Sequence, residues 1–365
     1  SSWVLLPLPE VVSRNACQSY PLAVPLRNRP CAATLCPAMP KPLVVITDHG
    51  YPSDKPERDA LAASGAKIVV RACKMPGEVL EACQDADGVI VRMAPCDRAA
   101  IEAMKRCRVI SRYGIGVDNV DVRAATERGI WVANVPDYCY DEVSEQALAL
   151  IMACARRVVE SDRLARAGKG PEAENLPVRR IRGSVLGLLA LGGIARTLVK
   201  KASGLGFARV LATDPVVKPE QAKSLGVELV NIDTLLKESD YLSIHAPLLP
   251  STRHIINREN LAKMKKGAVI VNTSRGPIVD GAALLEALKS GHIAAAGLDV
   301  FEHEPIRADD PLLSMPNVVA TAHLGWYSLE ARDELQRRAA EAVAKVLSGG
   351  KPDFVVNPDV KPRKV

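Results

Sequence analysis

The 365-residue chain lacks long hydrophobic runs, although apolar residues make up 48% of it. A membrane-spanning helix needs about 20 consecutive apolar residues, and no stretch of this chain reaches that length without interruption. Basic residues are not massed either, because the formal charge of +6 comes from lysines and arginines scattered among acids. This distribution favours a solvated surface over a nucleic-acid-binding face. Neither a membrane nor a nucleic acid is therefore expected as a partner.

Metal-binding cysteine spacings are also missing. The nine cysteines all lie between Cys17 and Cys154, and none forms a CxxC pair. An odd number without a short-range pattern indicates reduced, mostly buried thiols. We therefore expect no metal, and a reducing compartment, the cytoplasm. Cys139 lies near a predicted cleft and is a candidate reactive thiol, but packing is its favoured role.

Residues 1–40 lack any hydrophobic period. They contain seven prolines and three cysteines, and their only acid is Glu10. A disordered extension is the favoured prediction, with Met39 as the start of the folded part. Import into an organelle is the alternative, because the segment is poor in acids and carries Arg14, Arg27 and Arg29, yet it is not rich in serine.

Strand-like and helix-like stretches alternate from residue 42 onward, and the length of the chain favours two domains. Short β-branched runs divided by helices predict parallel strands joined by right-handed crossovers. In the first series the predicted strands are 43–48, 66–71, 88–92 and 108–112, with helices near 54–64, 76–84 and 97–105. In the second series the predicted strands are 185–191, 208–213, 227–230, 240–244, 267–272, 293–299 and 317–320, before a last helix at 328–348.

Between the two series the pattern predicts one long helix from Asp141 to Lys169. Its middle, residues 147–154, is apolar on every side, and a helix of that kind is buried. We expect it to lie between domains or at a subunit contact. A polar link, residues 170–182, follows it.

The second series opens with a candidate nucleotide-binding loop. The strand from Val185 runs into Ala190-Leu191-Gly192-Gly193-Ile194-Ala195 and then a helix, which is the place of a G-x-G-x-x-G dinucleotide fingerprint. Only the middle glycine of that fingerprint is present, so an ordinary tight turn is the alternative. Asp214 closes the next strand, 22 residues after Gly192, where an acid binds ribose hydroxyls. No arginine follows Asp214 to receive a 2′-phosphate, which favours NAD over NADP.

Further residues with catalytic chemistry stand at the ends of apolar runs. The segment 111–121 contains two glycines, Gly114 and Gly116, whose backbone N–H groups can hold a carboxylate, with a glycine-rich turn as the alternative. Arg275, Glu304 and His323 follow the last predicted strands. Ligands bind at the carboxyl ends of strands in open α/β sheets, so these three side chains are predicted to share one site. Together they suit a 2-hydroxy acid, with a guanidinium fork for a carboxylate and a proton carrier tuned by an acid.

As a set and in this order, the motifs resemble the D-isomer-specific 2-hydroxyacid dehydrogenases over about residues 42–347. Three segments resemble most the branch that contains the C-terminal-binding-protein corepressors and their bacterial dehydrogenase relatives. They are Asn134–Cys139, Asn272–Gly276 and His323–Ser328.

The resemblance implies an α/β fold of two Rossmann-like doubly wound parallel-sheet domains, with the cofactor domain inserted into a discontinuous substrate domain. After the extension of residues 1–40, the substrate domain would comprise residues 41–140 and a C-terminal helix at 322–348. Residues 141–321 would form the NAD-binding domain, and residues 349–365 a tail. A homodimer with the long helix at its interface is also implied.

The same resemblance assigns roles to individual residues. The catalytic set is Arg275, Glu304 and His323. The expected cofactor contacts are Ile115, Ala190, Leu191, Gly192, Gly193, Ile194, Ala195, Asp214, His245, Thr273, Ser274, Arg275, Asp299 and His323. The expected substrate contacts are Arg112, Gly114, Ile115, Gly116, Arg275 and Trp326. The remaining histidines, His49, His254, His292 and His303, are expected at the surface.

The function that follows is NAD-dependent hydride transfer between nicotinamide and C2 of a small D-2-hydroxy acid or 2-keto acid. The aromatic wall implied at Trp326 and the short segment after the last helix argue mildly against phosphoglycerate as the substrate. The alternative is an NAD(H)-sensing, corepressor-like binding protein with little or no turnover. The enzyme is favoured by the intact Arg275, Glu304 and His323. The altered Ala190 and Ala195 favour the alternative or a degenerate enzyme.

Overall fold

A computed structural model describes residues 41–363, so the prediction made for residues 1–40 lies outside the described residues. Within this range strands and helices alternate in two series, and every pairing between the strands is parallel. No helix of the same range is both long and apolar enough to cross a membrane. Two parallel sheets with helices between their strands confirm the predicted α/β class.

The first sheet has five strands in the order β2-β1-β3-β4-β5. The strands are β1 (Leu43–Ile46), β2 (Lys67–Val70), β3 (Gly88–Val91), β4 (Val109–Arg112) and β5 (Trp131–Ala133). The helices are α1 (Lys55–Leu61), α2 (Pro76–Cys83), α3 (Arg98–Ala103) and α4 (Val122–Glu127). The sequence did not predict β5 or α4, because both are too short to show a period. A distant segment completes the edge of β5, since the Val356 N–H donates to Val132 O at 2.8 Å.

The second sheet has seven strands, in the order β12-β11-β10-β9-β6-β7-β8. The strands are β6 (Val185–Leu189), β7 (Arg209–Thr213), β8 (Glu228–Leu229), β9 (Tyr241–Ile244), β10 (Ala268–Asn272), β11 (Ile293–Leu298) and β12 (Val318–Ala320). The helices among them are α7 (Gly193–Ala202), α8 (Pro219–Lys223), α9 (Ile232–Glu238), α10 (Arg258–Lys263), α11 (Gly281–Lys289) and α12 (Pro311–Ser314). Because β6 pairs with β7 on one side and β9 on the other, the strand order reverses there. Ligands of such sheets bind beside that reversal, at the carboxyl ends of the strands.

The single long helix predicted over 141–169 is wrong. Two helices occupy this stretch, α5 (Tyr140–Arg156) and α6 (Val158–Arg166), and the chain breaks between them at Arg157, which has a φ of 52°. The break lets the buried Arg157 guanidinium donate to Ala294 O at 2.8 Å and contact Glu160 at 3.0 Å. No glycine or proline marks the position, so the sequence carries no sign of it. One face of the apolar middle of α5 is buried against the second sheet, with Ala147, Leu150, Ile151 and Cys154, whereas Ala149 on another side is exposed.

The C-terminal part of the chain returns to the first sheet. Helix α13 (Leu329–Leu347) packs Leu335, Ala339 and Val343 into one cluster with the strands β1, β3 and β4. The segment predicted only as a tail then continues along that sheet, where Asn357 accepts from Val132 N–H at 2.8 Å. The first sheet is therefore built from both ends of the described range, while the bounds predicted for the two domains stay a prediction.

The cysteines of the described range are free and buried. They are Cys73, Cys83, Cys96, Cys107, Cys139 and Cys154. Burial raises the pKa of the Cys139 thiol to about 12, so little of it is a thiolate at neutral pH. Packing is therefore the role that the structure supports for this residue.

Candidate active site

The carboxyl ends of both sheets meet at one cleft, and one ion pair crosses it. Arg275, three residues after β10, donates through Nε to Asp118 Oδ2 at 2.7 Å, and Asp118 belongs to the loop after β4. Arg275 Nη1 donates to Ser274 O at 2.8 Å, and Nη2 lies against the backbone of Gly116. Two of the three guanidinium nitrogens therefore have protein partners, and Nη2 faces the predicted carboxylate loop. The sequence did not single out Asp118.

The turn that carries Arg275 is held by hydrogen bonds to the side chain of Asn272. Asn272 ends β10, and its side chain accepts from the Ser274 N–H at 3.0 Å and donates to Arg275 O at 2.9 Å. Ser274 also donates its hydroxyl to the same Asn272 oxygen at 3.0 Å. Thr273 is buried, with a hydroxyl that has no hydrogen-bond partner within residues 41–363. This turn places Arg275, Thr273 and Ser274 together at the predicted cofactor edge.

The predicted proton carrier and acid are in direct contact. His323 Nδ1 lies 2.6 Å from Glu304 Oε2, and Glu304 Oε1 accepts from the Phe301 N–H at 3.0 Å. Burial raises the pKa of Glu304, but the hydrogen bond and charge of His323, the Phe301 N–H and the charge of Arg275 together bring it below its usual value. An ionised Glu304 keeps the proton of a neutral imidazole on Nδ1. The Nε2 atom is therefore the one left for a substrate.

The loop of His323 is held from behind by Asp299. This carboxylate is only 1% exposed and accepts from Thr321 Oγ1 at 2.6 Å, Leu324 N at 3.0 Å and Gly325 N at 2.8 Å. His323 N–H also donates to the Asp299 carbonyl at 2.8 Å. These bonds hold His323 at a φ of 55°, a conformation that costs a side chain about 1 kcal/mol or more. Asp299 was predicted as a cofactor contact, and positioning the His323 loop is a role the sequence did not suggest.

The predicted wall residue Trp326 belongs to a cluster of aromatic rings. Its ring centroid lies 6.4 Å from that of Tyr51 and 6.3 Å from that of Tyr138. The Arg92 guanidinium lies over the Tyr51 ring, 4.9 Å from its centroid. The wall is therefore less apolar than Trp326 alone suggests. The sequence did not single out Tyr51 or Tyr138, although their place in the loops after β1 and β5 is a signal that could have found them.

Arg112 ends β4 beside this wall. Its side chain donates to no atom within residues 41–363, and its Nε is buried without a partner. Burial, and then the nearby charge of Arg275, lower the pKa of its guanidinium, which nevertheless stays protonated at neutral pH. The following residues Gly114, Ile115 and Gly116 form the loop that faces Arg275, and Ile115 O accepts from Asn134 at 2.7 Å. An anion in this cleft would therefore meet two guanidinium groups.

The prediction that His49 lies at the surface is wrong. His49 is 8% exposed, with Nε2 3.2 Å from the carboxylate of the fully buried Glu57. Glu57 also accepts from Tyr113 Oη at 2.6 Å and Gln336 Nε2 at 3.0 Å. The ring of Tyr51 contacts those of His49 and Tyr113, at 5.2 Å and 5.4 Å between centroids. This buried network therefore packs against Tyr51 of the aromatic wall. Its members are too far apart in sequence for a sequence pattern to show that they are in contact.

The predicted nucleotide loop joins β6 to α7 at the reversal of the second sheet. Gly192 caps α7, and nothing lies within 4 Å of a Cβ built on it, so the loop faces open space at this residue. Asp214 directly follows the next strand, β7, and accepts from Leu191 N–H at 2.9 Å. Burial raises the pKa of Asp214, but backbone N–H groups, that of Leu191 first, bring it below its usual value. His245 follows β9 at the same edge, and burial lowers its pKa to about 4, so its ring is neutral at pH 7.

These features fit a dinucleotide. The first N–H groups of a helix lack partners within it and attract phosphate, and those of α7 follow Gly192, which borders open space. The ionised Asp214 beside them suits ribose hydroxyls. No cluster of three or more potential metal ligands occurs within the described range.

The altered first glycine of the fingerprint is strained. Ala190 has a φ of 75°, whereas Gly192 has a φ of −72° and Gly193 begins a regular helix. The two glycines therefore do not take over the left-handed position. Ala195, in place of the third glycine, is fully buried.

Ala190→Gly is therefore expected to raise the free energy of unfolding by about 0.5–1 kcal/mol, because relief of the left-handed strain exceeds the added entropy of the unfolded chain. Urea unfolding, with unchanged m, measures the difference. Ala195→Gly is the matched control, which should lower stability since it removes a buried methyl. An Ala190→Gly protein no more stable than the parent would show that the turn is relaxed.

Residues 148–325 match the sequence model described as "D-isomer specific 2-hydroxyacid dehydrogenase, NAD binding domain". The chain is 41% identical over 286 residues to a glyoxylate reductase of Korarchaeum cryptofilum, covering 77% of this chain and 86% of that relative. It is 42% identical over 291 residues to a D-3-phosphoglycerate dehydrogenase of Methanocaldococcus jannaschii, covering 79% of this chain but 55% of that relative. The crystal structure of a glyoxylate reductase from Paecilomyes thermophila superimposes with a TM-score of 0.79 at 30% identity, over 87% of this chain and 99% of that one.

Proposed function

Because the chain belongs to the D-isomer specific 2-hydroxyacid dehydrogenase family, we propose that its cleft interconverts a small 2-keto acid and the D-2-hydroxy acid, with His323 as the proton carrier. The chain is an NAD-dependent oxidoreductase of that family. The observation that carries the proposal is the 2.6 Å contact of His323 with Glu304 in a cleft that also holds Arg275. The likeness to the corepressor branch stays a prediction.

The substrate carboxylate is the group that the cleft is built to orient. Arg275 Nη2 and the guanidinium donors of Arg112 lie at the loop 114–116. The predicted Gly114 N–H is not among the available donors, because it is bonded to Arg112 O at 2.9 Å. A guanidinium binds a carboxylate through two parallel hydrogen bonds, which fixes its plane as well as its position. The keto or hydroxyl carbon next to that carboxylate would then lie between the loop and His323.

His323 moves the proton. In the reduction, its Nε2–H donates to the carbonyl oxygen, and in the oxidation the neutral Nε2 accepts the hydroxyl proton. NAD, when bound, accepts or supplies the hydride at C4 of its nicotinamide. Glu304 stabilises the imidazolium form and keeps Nδ1 as the hydrogen-bonded nitrogen. The buried Asp299 holds the loop, so the imidazole is oriented before the substrate arrives.

The test is NADH oxidation against a panel of 2-keto acids. It should include glyoxylate and phosphohydroxypyruvate, since the relatives carry the names of a glyoxylate reductase and a phosphoglycerate dehydrogenase, and 2-keto acids with apolar substituents. We expect turnover of small members, and, from the aromatic wall, better binding of apolar than of phosphorylated substituents. NADH binding without turnover of any member would support the nucleotide-sensing alternative instead. The homodimer and the cytoplasmic location stay predictions, the first of which light scattering checks.

Asp118→Asn is expected to lower kcat/KM for the 2-keto acid by about tenfold, because Arg275 loses the charged partner that orients it. The change in stability should stay below about 1 kcal/mol, since both partners are partly exposed. NADH affinity should not change. Asp162→Asn, which breaks an exposed pair with Arg166, is the matched control. Equal activity of Asp118→Asn and the control would mean that Arg275 is positioned without Asp118.

A further inference from the structure

The nucleotide loop has a glycine that the dinucleotide fingerprint does not require. A Cβ built on Gly193 would overlap the ring of Tyr140 and lie 2.7 Å from its Oη. The neighbouring Gly192, by contrast, has open space at the same place. Glycine at position 193 therefore makes room for a tyrosine that comes from another helix.

Several contacts fix Tyr140 at this position. It is the first residue of α5, and the next residue, Asp141, forms an ion pair with Lys201 of α7 at 2.8 Å. Glu145, one turn further along α5, contacts the same Lys201 at 2.7 Å. Ile194, at the start of α7, packs into the cluster that contains the residues just before Tyr140. Because Lys201 lies near the end of α7, these ion pairs hold the start of α5 alongside that helix, while the Tyr140 ring reaches Gly193 at the start of α7.

The Tyr140 hydroxyl is an available donor beside the start of α7. The hydroxyl forms no hydrogen bond with any of residues 41–363. Burial, with the nearby Asp137, raises the pKa of Tyr140, so the phenol keeps its proton at pH 7. Arg196 lies close enough for its charge to oppose that rise, and it donates through Nε to Leu191 O at 2.9 Å. The surroundings of the helix start thus combine unpaired backbone N–H groups, a phenol and a guanidinium, which together favour an anion.

We propose that Tyr140 is a cofactor-binding residue, whose hydroxyl donates a hydrogen bond to the pyrophosphate of the bound dinucleotide. The inference rests on the NAD-dependent function proposed above. Any side chain at position 193 would occupy the space of the Tyr140 ring. The loop therefore has no side chain at this position, and the Tyr140 side chain of α5 lies there instead. Arg196 adds positive charge near the Tyr140 hydroxyl, but the proposal does not require it to contact the pyrophosphate.

Tyr140→Phe tests this, because it removes the hydroxyl and keeps the ring. The dissociation constants of ADP and adenosine are measured by competition against NADH fluorescence, with NADH itself titrated directly. The Kd of ADP and of NADH should rise about tenfold, the scale of one hydrogen bond to a charged group, while that of adenosine, which has no phosphate, stays unchanged. Tyr241→Phe, a tyrosine at the opposite, amino end of β9, is the matched control and should bind all three as the parent does.

A second pair of variants tests the exchange of side chains. Gly193→Ala should weaken the binding of ADP in the parent, where the new methyl meets the ring, and should do so much less in a Tyr140→Ala background.

Unchanged or tighter ADP binding by Tyr140→Phe overturns the proposal, and tighter binding would mean that the phenol obstructs the loop. Equal weakening of ADP and adenosine overturns it too, because the loss is then not at the phosphates. A parent protein that binds neither NADH nor ADP would instead contradict the proposed function.

Discussion

Replacing His323 by alanine is expected to lower kcat for 2-keto acid reduction by about 100-fold or more, which is the scale of a lost general acid. His323 is the imidazole that pairs with a carboxylate at the shared cleft, and its Nε2 is free to reach a substrate. Because alanine cannot donate a proton, the loss should appear in kcat. NADH affinity should remain close to that of the parent, since the nucleotide loop lies on β6 and α7.

The controls for this prediction come from the chain itself. His254 also pairs with a carboxylate at 2.6 Å, that of Glu302, and also has a positive φ, so His254→Ala should keep near-parental kcat. His323→Asn separates chemistry from strain, because asparagine tolerates the φ of 55° but its amide neither gives up nor takes up a proton near neutral pH. Near-normal turnover in either His323 variant would remove the proposed mechanism.

Glu304 gives the same prediction a pH-dependent arm. Its pKa lies below the usual value, so at neutral pH it is ionised and favours the protonated form of His323. Reduction requires that protonated form. Glu304→Gln removes the favouring charge, so kcat for the reduction should fall by about tenfold at pH 7, and the loss should shrink as the pH falls through the lowered pKa of Glu304, where the parent loses the charge as well. An equal loss at every pH would show that Glu304 does not act on His323 through its charge.

The sequence predicted the two sheets well because their signal is local. Buried parallel strands are short apolar runs, and the helices between them separate one run from the next. The break at Arg157 left no such signal, since it depends on a carbonyl, Ala294 O, more than a hundred residues away. Strand β5 is three residues long, too short to show a period, and the residue that completes its edge, Val356, is far away in sequence.

The candidate site divides in the same way. Arg275, Glu304 and His323 stand at strand ends, which topology brings to one edge, and the structure does bring them there. Asp118 was missed because it meets Arg275 across 157 positions of sequence. Tyr140 and the burial of His49 by Glu57 were missed because each depends on how a helix packs. The sequence pattern therefore identifies site residues that lie at the ends of strands. It does not identify the neighbours that these residues contact, because those contacts depend on tertiary packing.

Gly116→Ala is expected to lower kcat/KM for the 2-keto acid by about 100-fold, the scale on which a displacement of about 1 Å at a reacting group acts. A Cβ on Gly116 would overlap Arg275 Nη2 and lie 2.9 Å from its Cζ and 3.0 Å from Asp118 Oδ2. The guanidinium is the far end of a flexible side chain, so it can move away and the fold can stay intact. It would then leave the position from which it meets the substrate carboxylate, and its bond to Asp118 would be strained or lost.

The consequence is a loss confined to the substrate. The melting temperature and the Kd of NADH should match those of the parent, whereas KM for the 2-keto acid rises and kcat falls. Gly77→Ala is the matched control, because nothing lies within 4 Å of a Cβ at that position and activity should not change. If Gly116→Ala kept parental kcat/KM, Arg275 Nη2 would not be the group that binds the carboxylate. If it unfolded instead, the close approach would be structural, and Gly116→Ser, which is larger still, should then unfold more readily.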